Sequence, residues 1–441
     1  MNSKSNFFRE NIAVGFMLFA LFLGAGNIIF PPQLGQMAGE NIIISMIGFL
    51  ITGVGLPLLG IIAVAKNGGD LEVLAGRINP YFGIIFTSII YLSIGPFFAI
   101  PRTGAVSYSI GIAPFLSETM QDSWIPLFIT TLIFFSFTLF LAYNPTKIVD
   151  RVGKILTPAL LIVICLLAIK AVITPLGDIG QAQGTYIDNA FGESFIQGYL
   201  TMDVLASLVF GIVILQALKA RGITEKAAQI KITIFAGIVA ALGLAFVYVS
   251  LGYIGVTSTS AIGFHEDGGT IISLAAQALY GQAGSIILSA VIILACLTTS
   301  VGLLSANATF FHKIFPKVSY QTYLIIFALF SFGVSNFGLA DLINLSLPVL
   351  VAIYPIAIVL MVFALFGNLF NHAPSVYGVA LIFTGVVALY DGIKQAGFKI
   401  EAYDNFLSIF PLYEQGIAWV VPALVGGVIG YIMYLVKRKS I

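Results

Sequence analysis

Long apolar runs separated by short polar segments repeat along the whole chain. The runs are continuous rather than alternating, so they fit helices and not the strands of a membrane β-barrel. The pattern predicts an all-α polytopic membrane protein with about 12 transmembrane helices, since a spanning helix needs roughly 20 apolar residues. The predicted spans are residues 11–37, 41–65, 82–113, 125–143, 149–174, 195–218, 231–256, 270–304, 320–337, 341–366, 375–391 and 416–436.

One stretch interrupts the first predicted span. It contains Gly24-Ala25-Gly26-Asn27 and, shortly afterwards, Pro31-Pro32. Glycine permits non-helical dihedral angles, and proline lacks the N–H group that a continuous helix uses. A helix opened inside the membrane would offer free carbonyl groups to a cation and free N–H groups to a carboxylate. The stretch predicts a binding site within helix 1, with a simple proline kink as the alternative.

Two further signals lie in the second half of the chain. Ser207 to Gly211 places a serine and a glycine within the sixth span, which indicates either a second helix break or ordinary packing of small residues. Ala295 to Ser300 includes three consecutive hydroxyl side chains, two of them Thr298 and Thr299, within the eighth span. Such hydroxyls commonly bond to carbonyl groups one turn earlier. Beside an opened helix they would instead suit Na⁺, which takes neutral oxygen ligands.

Charge distribution supports this topology. With the N-terminus in the cytoplasm, 16 of the 20 lysine and arginine residues fall on cytoplasmic segments and three fall outside, while Arg102 lies within the third span. We therefore expect both termini in the cytoplasm. With 59% hydrophobic and 9% charged residues, the chain does not resemble a soluble domain. We predict that the protein is not an enzyme, since no catalytic arrangement of residues falls at a plausible site. We also expect no nucleic-acid partner.

These motifs resemble those of a known fold. The first two interruptions and Ala295 to Ser300 are similar to the unwound helix 1, the unwound helix 6 and the sodium-binding helix 8 of the leucine-transporter fold. Together with Gly-Pro-Phe-Phe-Ala-Ile-Pro-Arg-Thr at 95–103, the whole chain resembles bacterial branched-chain amino acid:cation symporters, the LIV-II carrier family. The resemblance implies one membrane domain, 1–441, with two inverted five-helix repeats (11–174 and 195–366) and two additional helices (375–436).

The resemblance also implies two sites and no cofactor other than a coupling cation. The implied Na⁺ ligands are backbone oxygens and hydroxyl groups of Ala20, Leu23, Ala295, Thr298 and Thr299. The implied substrate site would hold the carboxylate on the opened backbone of helix 1 and a branched side chain in an apolar pocket. Its residues would be Gly24, Ala25, Gly26, Asn27, Val204, Ser207, Phe210 and Leu303.

Two charged positions add hypotheses of their own. The arginine that members of this fold often carry just after the helix 1 break is replaced here by Phe30, and Arg102 could compensate. A pair of Arg102 with Asp203 or Asp341 would form an outer gate, with a static ion pair or an arginine reaching the interface as the alternative. In proton-coupled relatives of the fold that this chain resembles, a helix 5 lysine can stand in for the sodium, and Lys154 at the start of helix 5 is the candidate here. The alternative is an ordinary charge in a positive-inside loop.

The sequence thus predicts a multi-pass protein of the cell membrane, and the resemblance implies that it imports leucine, isoleucine or valine with Na⁺ by alternating access. Its expected partners are these amino acids, the coupling ion and the lipid bilayer. Proton-coupled symport through Lys154 is the first alternative. A passive channel is an alternative of a different class. It would require a ring of filter residues, and the sequence shows no repeated filter motif.

Overall fold

The described chain, residues 2–121, 123–144 and 157–439 of a computed structural model, forms helices and contains no β-strand in these ranges. The helices of its first half are α1 (Asn2–Phe22), α2 (Ala25–Ala38), α3 (Ile42–Leu50), α4 (Leu56–Lys66), α5 (Leu71–Ala75), α6 (Pro80–Leu92), α7 (Ala99–Ser109), α8 (Glu118–Gln121), α9 (Trp124–Ala142) and α10 (Thr157–Ile173). Single π-helical turns at Ile51–Gly55 and Ser93–Phe97 join α3 to α4 and α6 to α7.

The second half contains ten more helices. They are α11 (Ala190–Gln197), α12 (Asp203–Ala220), α13 (Lys226–Ile262), α14 (Gly268–Tyr280), α15 (Gln282–Ile314), α16 (Tyr320–Ser335), α17 (Leu339–Leu365), α18 (Pro374–Gln395), α19 (Glu401–Leu407) and α20 (Val420–Lys439). Side chains cap several amino ends: the carboxylate of Asp267 accepts the N–H group of Thr270 at 2.7 Å, and the hydroxyl of Ser319 accepts that of Thr322 at 3.1 Å. Such caps fix where the helices begin.

Within the described ranges, nine helical stretches are long and apolar enough to cross a membrane. Three shorter apolar helices, Asn11–Phe22, Leu161–Ile173 and Tyr320–Ser335, add to them, and each of the twelve predicted spans overlaps one of these stretches. Large apolar side chains also remain uncovered by protein: on α9, Ile133 is 53%, Phe137 58% and Phe140 67% exposed. A contiguous apolar surface of this kind needs lipid around it, so the chain is a multi-pass membrane protein.

The eighth predicted span, 270–304, is wrong in its bounds. The structure divides this region into the short helix α14 and the longer α15, separated at Gly281. Gly281 has a left-handed backbone (φ 61°), a conformation that glycine adopts without steric cost. Hydropathy alone missed this turn because largely apolar helices precede and follow it.

The expectation that Pro31 and Pro32 help to interrupt helix 1 is also wrong, since both lie inside α2. Proline removes a hydrogen bond but keeps a φ angle that is compatible with a helix. Packing against neighbouring helices makes this loss tolerable in a membrane. One such contact is very close: a Cβ atom on Gly255 of α13 would lie only 2.2 Å from the carbonyl oxygen of Pro32.

The broken helix α1–α2 lies at the centre of the bundle. α1 packs against α12, α13 and α15, and α2 packs against α7, α13 and α14. Residues of the long helices that surround the break are almost completely buried. Tyr248 of α13 and Phe210 of α12, for example, are 0% exposed. The surrounding helices therefore enclose the break, which is the environment that opened backbone needs inside a membrane.

Candidate binding site at the broken helices

Helix 1 opens at two residues, Leu23 and Gly24, between α1 and α2. Gly24 has an extended backbone (φ −113°, ψ −162°), and its N–H group donates a 2.9 Å hydrogen bond to the side-chain oxygen of Asn27. The final carbonyl groups of α1 lack helical partners because the chain leaves the helix there. The break therefore has a carboxyl end, formed by α1, and an amino end, formed by α2.

Two threonines of α15 contact the carboxyl end of α1. The Oγ1 atom of Thr298 lies 2.8 Å from the carbonyl oxygen of Ala20 and 2.9 Å from that of Ala295. The Oγ1 atom of Thr299 lies 2.9 Å from the carbonyl oxygen of Leu21 and 3.4 Å from that of Ala20. Five uncharged oxygen atoms thus converge at one place. This donor set suits a hard cation.

The cluster contains four of the five predicted cation ligands: Ala20, Ala295, Thr298 and Thr299. Sequence reasoning did not name Leu21, although the end of α1 at Phe22 makes its carbonyl group one of those without a helical partner. Leu23 donates its N–H group to the carbonyl of Phe19 at 2.9 Å. Its part in a cation site stays a prediction.

Helix 6 is broken as well, but earlier than predicted. α11 continues into a 3₁₀ turn, Gly198–Thr201, and Met202 then adopts a left-handed backbone (φ 65°) before α12 begins at Asp203. The prediction of a break between 207 and 211 is therefore wrong. No glycine marks the actual position, so composition alone gave no signal for it. A non-glycine residue in this conformation is strained and persists only where its surroundings hold it.

Ser207 and Gly211, which suggested the later break, lie in regular helix instead. The Ser207 hydroxyl donates to the carbonyl oxygen of Val204 at 2.6 Å, which is the local bonding that most serines in membrane helices make. A Cβ atom on Gly211 would lie 2.3 Å from a methyl group of Val64 in α4. The glycine thus serves close packing of two helices.

A buried hydrogen-bonded network joins the two broken helices. The Nδ2 atom of Asn27 in α2 donates to Oδ2 of Asp203 in α12 at 2.7 Å and also contacts the hydroxyl of Tyr248 in α13. The Tyr248 hydroxyl donates to the same carboxylate oxygen. Asp203 lies in the first turn of its helix, where the helix dipole favours a negative charge. Sequence reasoning missed Tyr248, whose only signal was a hydroxyl group within an otherwise apolar span.

Arg102 lies in α7, just after the irregular segment at Gly95 (φ −92°, ψ −124°). The residue is 3% exposed, and its Nε and Nη1 atoms have no hydrogen-bond partner. Its guanidinium carbon lies 5.7 Å from the centre of the Phe30 ring, within the range of a cation–π contact. Ion pairs with the two predicted partners are not formed within the described ranges: Asp203 bonds to Asn27 and Tyr248, and Asp341 is exposed at the start of α17. A gating role for these residues stays a prediction.

A small cavity lined by buried residues lies where these elements meet. Its volume of about 20 Å³ is close to the space that one water molecule needs. Five predicted substrate residues line it: Gly24, Ala25, Gly26, Asn27 and Leu303. Arg102, Asp203 and Thr299 line it as well. Among the remaining predicted residues, Val204 is fully buried and Phe210 packs edge-on against Phe22, a cavity residue, with ring centres 5.4 Å apart.

Lys154, the predicted proton-coupling residue, lies outside the described residues. The division into repeats at 11–174 and 195–366, with additional helices at 375–436, likewise stays a prediction.

Residues 8–437 match the family described as "Branched-chain amino acid transport protein". The chain belongs to this family. It is 50% identical over 428 residues to the branched-chain amino acid permease BraB of Bacillus subtilis (strain 168), covering 97% of this chain and 96% of the relative. It is 45% identical to the branched-chain amino acid transport system 2 carrier protein of Pseudomonas aeruginosa, covering 96% and 95% of the two chains. These relatives are permeases and carriers, so the chain belongs to a family of transport proteins and not of enzymes.

Solved structures agree on the fold. Mhp1, a nucleobase-cation-symport-1 family transporter in a closed conformation with bromovinylhydantoin bound, matches with a TM-score of 0.64 at 16% identity, covering 97% of this chain and 93% of Mhp1. MhsT in complex with L-phenylalanine matches with a TM-score of 0.56 at 15% identity, covering 96% and 98% of the two chains. The chain thus has the leucine-transporter fold with broken helices 1 and 6.

Proposed function

We propose that this protein imports leucine, isoleucine or valine across the cell membrane together with Na⁺, by alternating access. The observation that carries the proposal is the opened helix 1. One end of the break meets the hydroxyl groups of Thr298 and Thr299, and the other end lines a small buried cavity. The names of the relatives, which are branched-chain amino acid permeases and carriers, support the substrate class.

The cation would be held at the carboxyl end of α1. The residues that fit it are Ala20, Leu21, Ala295, Thr298 and Thr299, all through uncharged oxygens. Each threonine hydroxyl has one hydrogen and two lone pairs, so it can turn its lone pairs toward a cation once it stops donating to a carbonyl. The cation supplies positive charge at the negative end of a helix dipole, where such charge is favoured.

The substrate would occupy an enlarged form of the cavity. A volume of about 20 Å³ does not hold a branched-chain amino acid, so the surrounding helices must move before it enters. Apolar side chains such as Ile94 and Leu303 line the cavity and are buried. Burial of a branched side chain against such residues contributes about 1.5–3 kcal/mol. Opening to one side of the membrane at a time is what the proposal requires of the two broken helices.

Thr299 offers a physical route for coupling between ion and substrate. Its hydroxyl lies 2.9 Å from the carbonyl oxygen of Leu21 in the cation cluster, and its side chain also lines the cavity. A Cβ atom on Gly24 would lie 3.0 Å from the Thr299 methyl carbon, so the opened backbone rests directly on this residue. A cation that fixes Thr299 would therefore fix the backbone next to the substrate. Linkage then requires that the substrate tighten Na⁺ binding by the same factor.

The orientation that we propose has both termini in the cytoplasm. Its support is the distribution of basic residues, 16 on the segments assigned to the cytoplasm and three on the outside.

The decisive experiment is uptake of labelled isoleucine into proteoliposomes under imposed Na⁺ or H⁺ gradients. We expect an inward Na⁺ gradient to drive accumulation in the wild type and to have no effect on the T298A/T299A double variant. Accumulation under a proton gradient alone would overturn the Na⁺ proposal and direct attention to Lys154. Equilibration without accumulation under either gradient would overturn symport itself.

A further inference from the structure

Arg102 carries a buried charge that forms no ion pair among the described residues. Only 3% of the residue is exposed, and its Nε and Nη1 atoms have no hydrogen-bond partner. Burying an unpaired charge is among the most unfavourable events in folding, so such groups are normally paired. The exception needs an explanation, and the position of Arg102 on the wall of the central cavity supplies one.

A second source of positive potential lies beside the guanidinium group. A Cβ atom on Gly26 would lie 2.9 Å from Nη2 of Arg102, so the guanidinium rests against the first turn of α2. The amino end of a helix carries a partial positive charge and free N–H groups, both of which attract an anion. An arginine and a helix amino end in contact repel each other unless an anion lies between them. This corner of the cavity is therefore built for a negatively charged group.

A residue of the opposite charge lines the same cavity. Asp203 is 2% exposed, and its Oδ2 atom accepts hydrogen bonds from Asn27 and Tyr248. Both donors are uncharged, so the negative charge itself remains without a cation. Among the described residues, Asp203 forms no ion pair with Arg102. The two charges thus line the same cavity without forming an ion pair.

We propose that Arg102 and Asp203 bind the two charged ends of the zwitterionic substrate. Arg102, together with the amino end of α2, holds the carboxylate, and Asp203 holds the ammonium group. The proposal rests on the proposed function, because it assigns residues to that substrate site. A bound amino acid gives both charged residues a partner of opposite charge at once. The planar guanidinium matches a carboxylate through two parallel hydrogen bonds. Recognition of the backbone in this way leaves the apolar walls free to select the side chain.

The test compares three ligands that differ only at their charged ends. They are L-isoleucine, L-isoleucinol, which lacks the carboxylate, and the α-hydroxy acid of isoleucine, which lacks the ammonium group. Their dissociation constants would be measured by calorimetry on the purified full-length protein in the presence of Na⁺. In the wild type we expect isoleucine to bind more tightly than either analogue, because only isoleucine engages both charged residues.

The R102Q variant should lose affinity only for ligands that carry a carboxylate. We expect about 10- to 100-fold weaker binding of isoleucine and of the α-hydroxy acid, the range typical of a lost charge-assisted hydrogen bond, and unchanged binding of isoleucinol. The D203N variant should show the reverse pattern, with weaker binding of isoleucine and isoleucinol and unchanged binding of the α-hydroxy acid. Equal losses for all three ligands, or no loss for any, would overturn the proposal.

Two further variants guard against a change in folding. R77Q removes an arginine that contacts His372; neither residue lines the cavity. This variant should therefore bind all three ligands as the wild type does. G26A keeps both charges but forces a methyl group to within 2.9 Å of the Arg102 guanidinium. It should reproduce the pattern of R102Q at a smaller magnitude, even if R102Q does not fold. A loss for isoleucinol in G26A equal to that for isoleucine would count against the carboxylate assignment.

Repeating the measurements without Na⁺ separates this inference from the proposed function. If the crossed pattern appears but isoleucine binding does not depend on Na⁺, the two assignments stand and Na⁺ symport fails. If Na⁺ strengthens isoleucine binding but the crossed pattern is absent, symport stands and these assignments fail.

Discussion

The two ends of the break in helix 1 are satisfied in opposite ways. At the carboxyl end of α1, the neutral hydroxyl groups of Thr298 and Thr299 donate hydrogen bonds to the carbonyl oxygens of Ala20 and Leu21. At the amino end of α2, the N–H group of Gly24 is capped by Asn27, yet a guanidinium group with unused donors lies alongside. Neutral partners can exchange with a cation at little electrostatic cost, whereas the unpaired arginine requires an anion. One break thus supports the two proposed sites, which have opposite charge preferences and lie a few residues apart.

The largest expected effect comes from removing the neutral partners at the carboxyl end. In T298A/T299A, two of the five oxygen atoms around the proposed cation are lost. We expect the Na⁺ concentration for half-maximal isoleucine uptake to rise at least about 100-fold, since loss of even a supporting group around a metal costs 10- to 100-fold. The measurement is initial uptake rate against Na⁺ concentration in proteoliposomes.

The matched control is T384A. Thr384 is also fully buried, and its hydroxyl donates to the carbonyl oxygen of Ala380 at 2.8 Å within α18. Its removal costs one ordinary buried hydrogen bond and should leave the Na⁺ dependence unchanged. If T298A/T299A kept the Na⁺ dependence of the wild type, the carboxyl end of α1 would not be a cation site, and the proposed difference between the two ends would be contradicted.

The next effect comes from removing the cap at the amino end. In N27A, the N–H group of Gly24 and the carboxylate of Asp203 each lose a partner. Leaving such buried groups unpaired costs about 1–3 kcal/mol each, so we expect isoleucine to bind at least about tenfold more weakly. The measurement is isoleucine affinity of the purified protein. N336A is the control, because the Asn336 side chain also bonds to a backbone group of its own helix, donating to the carbonyl of Phe332 at the end of α16, far from the break in helix 1.

A smaller effect is expected for Y248F, which removes one of the two donors to Asp203 and keeps the ring. The same carboxylate oxygen keeps its 2.7 Å bond to Asn27, so the cost should fall well below the value of about 1.5–3 kcal/mol for a charged group's hydrogen bond lost without replacement. We expect a severalfold loss of affinity for isoleucine and isoleucinol. Y91F is its counterpart, since the hydroxyl of Tyr91 makes only a long contact of 3.5 Å to the carbonyl of Val209. Equal effects of Y248F and Y91F would contradict a special role of the network.

The smallest effect concerns a charge cluster remote from both ends. Hydrogen bonds from Lys394 and Tyr413 hold the pKa of Asp404, in the loop helix α19, well below its usual range. Because the pKa is lowered by folding, the stabilisation is present at neutral pH and decreases as pH falls below about 4, the unfolded value. D404N should therefore unfold at a lower temperature than the wild type at pH 7, by an amount worth at most about 1 kcal/mol per pair, and the difference should narrow toward pH 3.

Transport by D404N at pH 7 should match the wild type, because its ionic contacts do not reach the cavity. The measurement is thermal unfolding across pH together with isoleucine uptake. A transport defect in a stable D404N protein would mean that charge outside the two ends also contributes to function.

The two broken helices differ in how far the sequence revealed them. Gly24-Ala25-Gly26-Asn27 signals an opening at the right place, because glycine releases the backbone locally and hydropathy marks the span around it. Helix 6 opens at Met202, which has no local preference for a left-handed backbone. There the conformation is imposed by what the helix packs against, namely the network of Asp203, Asn27 and Tyr248. Sequence reasoning consequently chose a serine and a glycine that serve ordinary packing.

The sequence by itself determined the properties that depend on single segments: the membrane-spanning helices, the opening of helix 1 and the threonine pair of α15. These follow from hydropathy and backbone freedom, which are local. Tertiary structure alone decided that Arg102 remains unpaired, that Asp203 bonds to Tyr248 rather than to an arginine, and that Leu21 joins the threonines. Each of these contacts joins helices far apart in the chain, so it depends on the relative positions of packed helices, which no single segment encodes.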